Sequence, residues 1–179
     1  RAPGGPLSQL AIHQFDVLHL LGGEVNAISS IASKLSPVGA EVDDQSMSSI
    51  KFKSGALGYV GSCWTSPGVF YVRVFGQKGL IHYELDFSSW DNPENLHKTS
   101  TLYIQKGIDG YGLRENLKIP ESNMFLEELE IFSEACQSQK VNQLSANDAN
   151  IAVAMVYSAL ESVKQNGKLI QINDILKNA

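Results

Sequence analysis

Cysteine and clustered positive charge are both scarce in this sequence. Its two cysteines, Cys63 and Cys136, lie far apart and outside any CxxC or Cys/His spacing that would hold a metal ion. We interpret both as small core side chains in a reducing compartment, and we therefore expect a cytoplasmic protein. Lysine and arginine occur only as isolated residues, and the formal net charge is −5. This balance argues against a nucleic acid as partner.

Long apolar runs and a nucleotide-binding fingerprint are also missing. No apolar run approaches the roughly 20 residues that a transmembrane helix needs, so we expect no membrane partner. No G-x-G-x-x-G follows a predicted strand, which argues against a Rossmann domain within this chain. The chain begins Arg1-Ala2-Pro3 rather than with methionine, and we expect it to be part of a longer polypeptide. Its 179 residues are enough for one domain with a substantial core.

The first element is an apolar helix that carries a polar stripe. Residues 4–23 are rich in leucine and lie between Gly-Gly-Pro and Gly-Gly, which predicts a helix, and the apolar side chains on nearly every side predict that it is buried. Gln9, His13 and Asp16 follow i, i+4, i+7 spacing and share one side of that helix. Two alternatives follow: His13 is a core histidine bonded to Asp16 or a backbone carbonyl, or the stripe opens into a wet cleft.

Period-two patterning and turn residues predict the strands. They are residues 24–35, 45–52, 56–64, 70–75 and 80–85, followed by a short candidate at an edge, 101–105. We expect Pro37-Val38-Gly39 to end the first strand, and KSG and GQKG to close hairpins. Serines at positions 29, 46, 48, 49 and 62 indicate a sheet face of mixed polarity.

Two helices close the chain. Residues 122–138 form an amphipathic pattern, and SAND at residues 145–148 resembles a capping box before a long helix that stops at Asn166-Gly167. A run of strands followed by helices predicts an α+β fold: an open, mainly antiparallel sheet of five or six strands with helices packed on one face. A mixed-polarity open face is suited to a cleft or a subunit interface.

Other polar residues receive structural interpretations. His82 and His97 have no pairing pattern, and we expect both at the surface. The Asp43-Asp44 pair has no third ligand at metal spacing, so we expect a turn leading into a strand rather than a metal site.

Four segments together resemble a known family. They are GGPLSQLAIHQFDVLHLLGGEV, VDDQSMSSIKFKSGALGYV, VRVFGQKGLIHYE and the closing helix pair from FLEELEIF to GKLIQI. Their content, order and intervals resemble the C-terminal domain of the Gfo/Idh/MocA family of NAD(P)-dependent oxidoreductases. The resemblance covers nearly all of the chain. It implies that residues 1–179 are a single substrate-binding and oligomerisation domain, without the N-terminal Rossmann domain of the family.

The resemblance also implies a reaction. The parent protein would be a dehydrogenase or reductase that moves a hydride to or from a carbinol of a sugar, cyclitol or nucleotide sugar. NAD or NADP would be held mainly by the missing domain, which also carries the family's catalytic lysine, so we expect this chain alone to be inactive. A dimer or tetramer formed through the open sheet face is the implied assembly.

The resemblance assigns roles to individual residues. The position of His13 is that of the family's general acid/base, a residue type that suits proton transfer near neutral pH. The expected substrate-binding residues are Gln9, Asp16, Trp64, Tyr71 and Arg73.

Two departures from the family pattern leave alternatives open. Gln9 and Ala11 stand where many members have aspartate and glycine. Either His13 works without a carboxylate partner, or proton transfer falls mostly to the lysine of the missing half, or the activity is lost. One rival is thus a non-catalytic binding or assembly module. The other is a stand-alone dimerisation domain, in which Gln9, His13 and Asp16 would be buried and bonded to one another.

Overall fold

The computed structural model describes residues 4–35, 41–108, 111–138 and 145–177. They form two compact units: residues up to Ser66 together with those from Leu144 onward, and Pro67–Gln143. The expected turn at Pro37-Val38-Gly39 and the first three residues lie outside the described part of the chain.

The secondary-structure elements follow the predicted order of helix, strands and helices. The helices are α1 Pro6–Gln9, α2 Ala11–Gly22, α3 Leu96–Thr99, α4 Met124–Ser138, α5 Ala146–Lys164 and α6 Ile172–Leu176. The strands are β1 Val25–Ser33, β2 Gln45–Phe52, β3 Leu57–Cys63, β4 Phe70–Gly76, β5 Gly79–Leu85, β6 Thr101–Lys106, β7 Arg114–Asn116 and β8 Ile170–Gln171. Two 3₁₀ turns, Phe87–Ser89 and Pro93–Asn95, lie between β5 and α3.

The first unit packs helices on one face of a four-stranded antiparallel sheet of order β3-β2-β1-β8. Helix α5 lies against β1, and α2 packs on α5. The core contains Leu7, Phe15, Ile28, Ile50 and Met155, all almost fully buried. Burial of this apolar surface, worth roughly 25 cal/mol per Å², holds helices and sheet together.

The predicted serine-rich face is divided between the two sides of this sheet. Ser30 and Ser48 are buried on the helix side, where the hydroxyl of Ser30 donates to that of Ser48 at 2.7 Å. The hydroxyl of Ser162 on α5 accepts from the Ser30 amide at 2.8 Å. Ser29 and Ser49, one residue out of phase, lie on the opposite side.

The predicted first helix is divided and only half buried, so the expectation of one buried helix is wrong. Leu10 has φ −109° and separates α1 from α2. Leu7, Ala11 and Phe15 face the core, whereas Leu20 is 82% exposed. The described residues cover only one side of α2, and apolar composition alone did not reveal which side.

The second unit is built on a four-stranded antiparallel sheet of order β4-β5-β6-β7. Its β4–β5 hairpin has the predicted Gly76–Gly79 turn. Strand β6 pairs with both β5 and β7, so the expectation that it lies at an edge is wrong. Strand β7, in a segment without a clear period-two pattern, was missed. The rings of Trp90 and of Phe125 on α4 are nearly perpendicular, and their centroids lie 6.0 Å apart.

The predicted α+β class with open antiparallel sheets and helices packed against them is confirmed. The strands, however, divide between two sheets of four instead of a single one of five or six. The short β7 and β8, which pairs with β1 from the far end of the chain, raise the number of strands to eight, and the sheet divides because β3 and β4 do not pair with each other. The capping box is confirmed, since the Ser145 hydroxyl accepts from the Asp148 amide at 3.1 Å.

Helix α1 begins at a close backbone approach. Gly4 and Gly5 have positive φ angles of 83° and 50°. A Cβ at Gly5 would overlap the carbonyl oxygen of Asp43, and one at Gly4 would overlap the Leu160 side chain. Both positions favour glycine by their positive φ, and at Gly5 a larger residue would also have to displace the backbone of Asp43.

We expect Gly5→Ala to lower the free energy of unfolding by about 3 kcal/mol, because it combines a strained φ with overlap against a backbone oxygen. Gly55→Ala is the matched control: Gly55 has φ +90° with nothing within 4 Å of an added Cβ. Its cost is about 1–2 kcal/mol from backbone strain alone. Urea unfolding of both variants measures the difference, and equal losses would contradict the close approach.

Candidate functional site

The predicted polar stripe lies on the exposed side of α1 and α2. Gln9, His13 and Asp16 are all exposed, on the side opposite the buried Leu7 and Phe15. Leu10 separates Gln9 on α1 from His13 and Asp16 on α2. All three side chains nevertheless lie on the uncovered side of the helix pair, as their i, i+4, i+7 spacing predicted.

The stripe residues have no polar partners among the described residues. Neither Gln9, His13 nor Asp16 makes a side-chain hydrogen bond or ion pair within that part of the chain. The alternative of a bonded core histidine is therefore wrong. The exposure also contradicts the stand-alone dimerisation domain, which required the three side chains to be buried and bonded to one another.

The amide, imidazole and carboxylate of the stripe can bind a ligand through hydrogen bonds and exchange a proton with it. Gln9 both donates and accepts hydrogen bonds, ionised Asp16 accepts them, and the ring of His13 exchanges a proton. A ligand that carries hydroxyl groups matches all three. Among the described residues there is no group of three His, Cys, Asp or Glu side chains that could hold a metal ion.

Trp64 lies in the same unit, beside the start of α1. Its half-buried ring approaches Gly5, where a Cβ would lie 3.4 Å from Cη2 of the indole. The Trp64 amide donates to the carbonyl of Asp44 at 2.9 Å. The buried Asp44 carboxylate in turn accepts from the Leu35 amide at 3.1 Å. The Asp43-Asp44 turn thus links the end of β1, the end of β3 and the start of α1.

The expectation that both cysteines are core residues is wrong. Cys63 is half-buried at the end of β3, and Cys136 is exposed on α4. Hydrogen bonds from the Thr65 hydroxyl and amide to Sγ hold the pKa of the Cys63 thiol below its usual value. The predicted helix with a repeating apolar spacing is present as α4. However, none of its side chains is buried by the described residues.

Tyr71 and Arg73, two of the expected substrate-binding residues, belong to the second unit. Both contact His82 across the β4–β5 hairpin. Arg73 Nε donates to His82 Nδ1 at 3.3 Å, and the ring centroids of Tyr71 and His82 are 6.0 Å apart. The Arg73 guanidinium also lies 5.9 Å from the Tyr71 ring centroid.

The expectation that His82 lies unpaired at the surface is wrong. It is only 5% exposed, packs against Tyr103 with ring centroids 4.8 Å apart, and lies 3.4 Å from a Glu84 carboxylate oxygen. The signal was present in the sequence. The Gly76–Gly79 turn sets the hairpin register, and that register places Arg73 directly opposite His82. His97 is half-buried, and its Nδ1 atom is buried without a hydrogen-bond partner in the part of the chain that the structure describes.

The described residues do not fit a dinucleotide cradle. Their strand pairs are all antiparallel, whereas a Rossmann sheet is parallel. In the described part of the chain, Gly4 and Gly5, the glycines that open α1, do not follow a strand as the glycines of a dinucleotide fingerprint do.

No helix in the described part of the chain is long and apolar enough to cross a membrane.

Three comparisons place the chain among oxidoreductase domains. Residues 1–82 match the family described as the GFO/IDH/MocA C-terminal domain. Over 98% of its length the chain is 25% identical to the myo-inositol 2-dehydrogenase of Thermotoga maritima, of which it covers 52%. A protein of Desulfitobacterium hafniense assigned as an NADPH-dependent oxidoreductase has a similar structure, with TM-score 0.89 and 28% identity over 98% of this chain and 50% of the other.

A levoglucosan dehydrogenase solved with NADH and L-sorbose has the same fold, with TM-score 0.74 and 18% identity over 94% of this chain and 50% of the other. The chain thus spans about half the length of the relatives it matches. Residues 1–82 thus match the GFO/IDH/MocA C-terminal domain family, and the chain is homologous to the C-terminal halves of NAD(P)-dependent oxidoreductases.

Proposed function

We propose that this chain is the substrate-binding and oligomerisation half of an NAD(P)-dependent oxidoreductase, and that the stripe of Gln9, His13 and Asp16 faces the substrate. The observation that carries the proposal is the exposure of these three side chains without partners among the described residues. Because these side chains use none of their hydrogen-bonding groups within the described residues, all of those groups are available to a ligand.

The proposed substrate is a sugar, cyclitol or nucleotide sugar that reacts at a carbinol carbon. A myo-inositol dehydrogenase among the relatives in sequence and a levoglucosan dehydrogenase of the same fold support this class. The stripe offers both donors and acceptors, which matches a ligand with several hydroxyl groups.

The residues of this chain would bind the substrate and move one proton. A ring nitrogen of His13 takes the proton of the reacting hydroxyl during oxidation and returns it during reduction. Gln9 and Asp16 hold neighbouring hydroxyl groups. The hydride is accepted or supplied by NAD or NADP, which we assign to the nucleotide-binding half of the parent protein.

The proposal predicts that His13→Asn lowers kcat by about 10²–10⁴-fold, because a positioned acid–base group contributes that factor. The measurement is NAD(P)H absorbance with a protein that contains this domain and its nucleotide-binding half, over a range of pH. Loss of one limb of the pH–rate profile is expected together with the loss of rate.

The matched control is His97→Asn, which makes the same change at a half-buried histidine of the second unit. It should leave kcat within about twofold, as is usual for a change away from the reacting atoms. A His13→Asn variant that keeps the full rate and the full pH profile would refute the role of His13.

A second candidate function is a non-catalytic binding module. Gln9 favours it, because an amide cannot accept a proton from the imidazole as a carboxylate can. In that case the unaltered parent protein produces no NAD(P)H from any polyol, and His13→Asn changes only ligand affinity.

We also propose that a second copy of the chain packs on the open face of the first sheet. Ile31 and Met47 lie directly opposite each other there and are 62% and 58% exposed, and Tyr59 nearby is 65% exposed. Serine and glycine between them, at Ser49 and Gly61, keep this face flat enough for close packing.

The expected result of Met47→Lys is loss of this assembly, because it introduces a charge at the centre of the apolar face. Sedimentation equilibrium measures the mass of the particle. Tyr157→Lys on α5 is the control, since it adds the same charge at an exposed apolar position on a helix. An unchanged mass for Met47→Lys, or an equal loss for both, argues against the interface.

A further inference from the structure

The sheet of the second unit carries two arginines on one of its faces. Successive residues of a strand alternate between faces, and the pairing registers place Arg73 of β4 and Arg114 of β7 on the same face. They are two of only three arginines in a chain whose basic residues are isolated in the sequence. The tertiary structure therefore creates a basic surface that the sequence does not reveal.

The two arginines stand at opposite corners of a patch made of two adjacent rows of cross-strand neighbours. The residues that matter are Arg73, His82 and Tyr103 in one row and Leu80, Gln105 and Arg114 in the next. We call this surface the arginine patch. Its floor is closed, because His82, Tyr103 and Gln105 are each at most 8% exposed.

The Arg73 guanidinium is oriented by the buried imidazole beside it. A guanidinium only donates, so the 3.3 Å bond runs from Arg73 Nε to Nδ1 of His82. The proton of the neutral imidazole then lies on Nε2, which donates to Oε2 of Glu84 at 3.4 Å. The terminal nitrogens of Arg73 make no hydrogen bond or ion pair with the described residues, so they are available to a ligand.

The Arg114 guanidinium is oriented by an aromatic ring. Its Cζ lies 4.8 Å from the ring centroid of Tyr103, and that ring in turn packs against His82 with centroids 4.8 Å apart. A guanidinium stacked through its flat face keeps its N–H edges free to donate. No side chain in the described ranges accepts a hydrogen bond from Arg114 or forms an ion pair with it.

The acidic side chains of this sheet do not neutralise the patch. Within the four strands, Glu84 is the one carboxylate on the same face. It is bonded to His82 and lies beyond it along β5, on the side away from Arg114. Glu115 lies on the other face, where it pairs with Lys106. Two positive charges therefore remain at the corners of the patch, with no carboxylate of these strands between them.

The spacing of the two guanidiniums suits a ligand with two acid groups. The planar fork of a guanidinium matches the two oxygens of an acid group. Neighbouring strands lie about 4.8 Å apart, so the backbones of β4 and β7 are separated by about 14 Å, and both guanidiniums extend inward from them. One acid group at each corner therefore requires a linker of several bonds. Leu80 and the 71% exposed ring of Phe75 favour an apolar linker.

The charges favour carboxylates over phosphates. Each corner supplies one positive charge, which one carboxylate offsets. A phosphate group carries about 1.5–2 negative charges at pH 7, so two of them would exceed the charge of the two arginines on a face that also holds Glu84. A cation is repelled by both guanidiniums, and a neutral ligand forms no charge-assisted hydrogen bond from its own charge.

We propose that the arginine patch binds a linear dicarboxylate, with Arg73 and Arg114 each holding one carboxylate. The two guanidiniums rest on the buried rings of His82 and Tyr103, which lowers the cost of ordering them for a ligand. The proposal rests on the second unit alone and does not depend on the function proposed for the stripe.

The test is a titration of the chain with adipate, followed by the arginine Nε–Hε signals in ¹H–¹⁵N spectra. The signals of Arg73 and Arg114 should shift, and that of Arg1 should stay in place. Arg114→Gln should weaken the affinity about tenfold, because it removes hydrogen bonds from a charged donor. Arg114 is exposed, so this variant is expected to fold, and its amide spectrum checks that it does.

The matched control is Lys106→Gln, which removes the same charge from the opposite face of the same sheet. It should leave the affinity for adipate within about twofold, since exposed charges at a distance are screened by salt. An equal loss for both variants would mean that adipate responds only to net charge, and the proposal would fail.

Two further ligands test the two-point contact and the class of acid group. Hexanoate, which has one carboxylate on a similar chain, should bind about tenfold more weakly than adipate, because one arginine then lacks a partner. The proposal is overturned if hexanoate binds as tightly as adipate, if Arg114→Gln has no effect, or if 1,6-hexanediol bisphosphate binds more tightly than adipate at the same two arginines.

Discussion

The placement of the polar stripe depends on one close approach between backbone segments. Gly5 lies against the carbonyl of Asp43, and Gly4 lies against Leu160 of α5. At Gly5 the backbone leaves no room for a Cβ, and the start of α1 thus lies directly against the turn before β2, with the Leu160 side chain of the long helix packed on Gly4. Phe15 anchors the next two turns in the core. Gln9, His13 and Asp16 are therefore exposed on a rigid support, and support of this kind is what proton transfer to a bound substrate requires.

In the second unit, the turn of the β4–β5 hairpin determines which residues lie opposite each other. The Gly76–Gly79 turn places Arg73 opposite His82, and the sheet continues this row to Tyr103. Two aromatic neighbours bury the imidazole, and burial makes its two hydrogen bonds costly to lose. The result is a polar chain that runs from Arg73 through His82 to Glu84. Arg73, expected from the resemblance to bind substrate, is bonded in this structure to a buried histidine.

The chain spans about half of its relatives' length, and its residues 1–82 match the GFO/IDH/MocA C-terminal domain family. Under the proposed function, the exposed polar side chains of the stripe would meet a substrate and a nucleotide-binding half. Gln9 is the informative departure. It keeps the ability to form hydrogen bonds that an aspartate would have there, and it removes the ability to accept a proton, so the proposed acid–base role of His13 has no carboxylate partner at this position.

The amino-acid sequence by itself determined the order of elements, the antiparallel strands from 25 to 85, the capped α5 and the shared side of the stripe, because these follow from local periodicity and turn chemistry. The family was also recognisable from its motifs. Only the tertiary structure decided which face of each element is covered. It exposed His13, buried His82, and brought β8 beside β1 from the far end of the chain. Burial and long-range pairing depend on what packs from elsewhere, and local patterns carry no information about that.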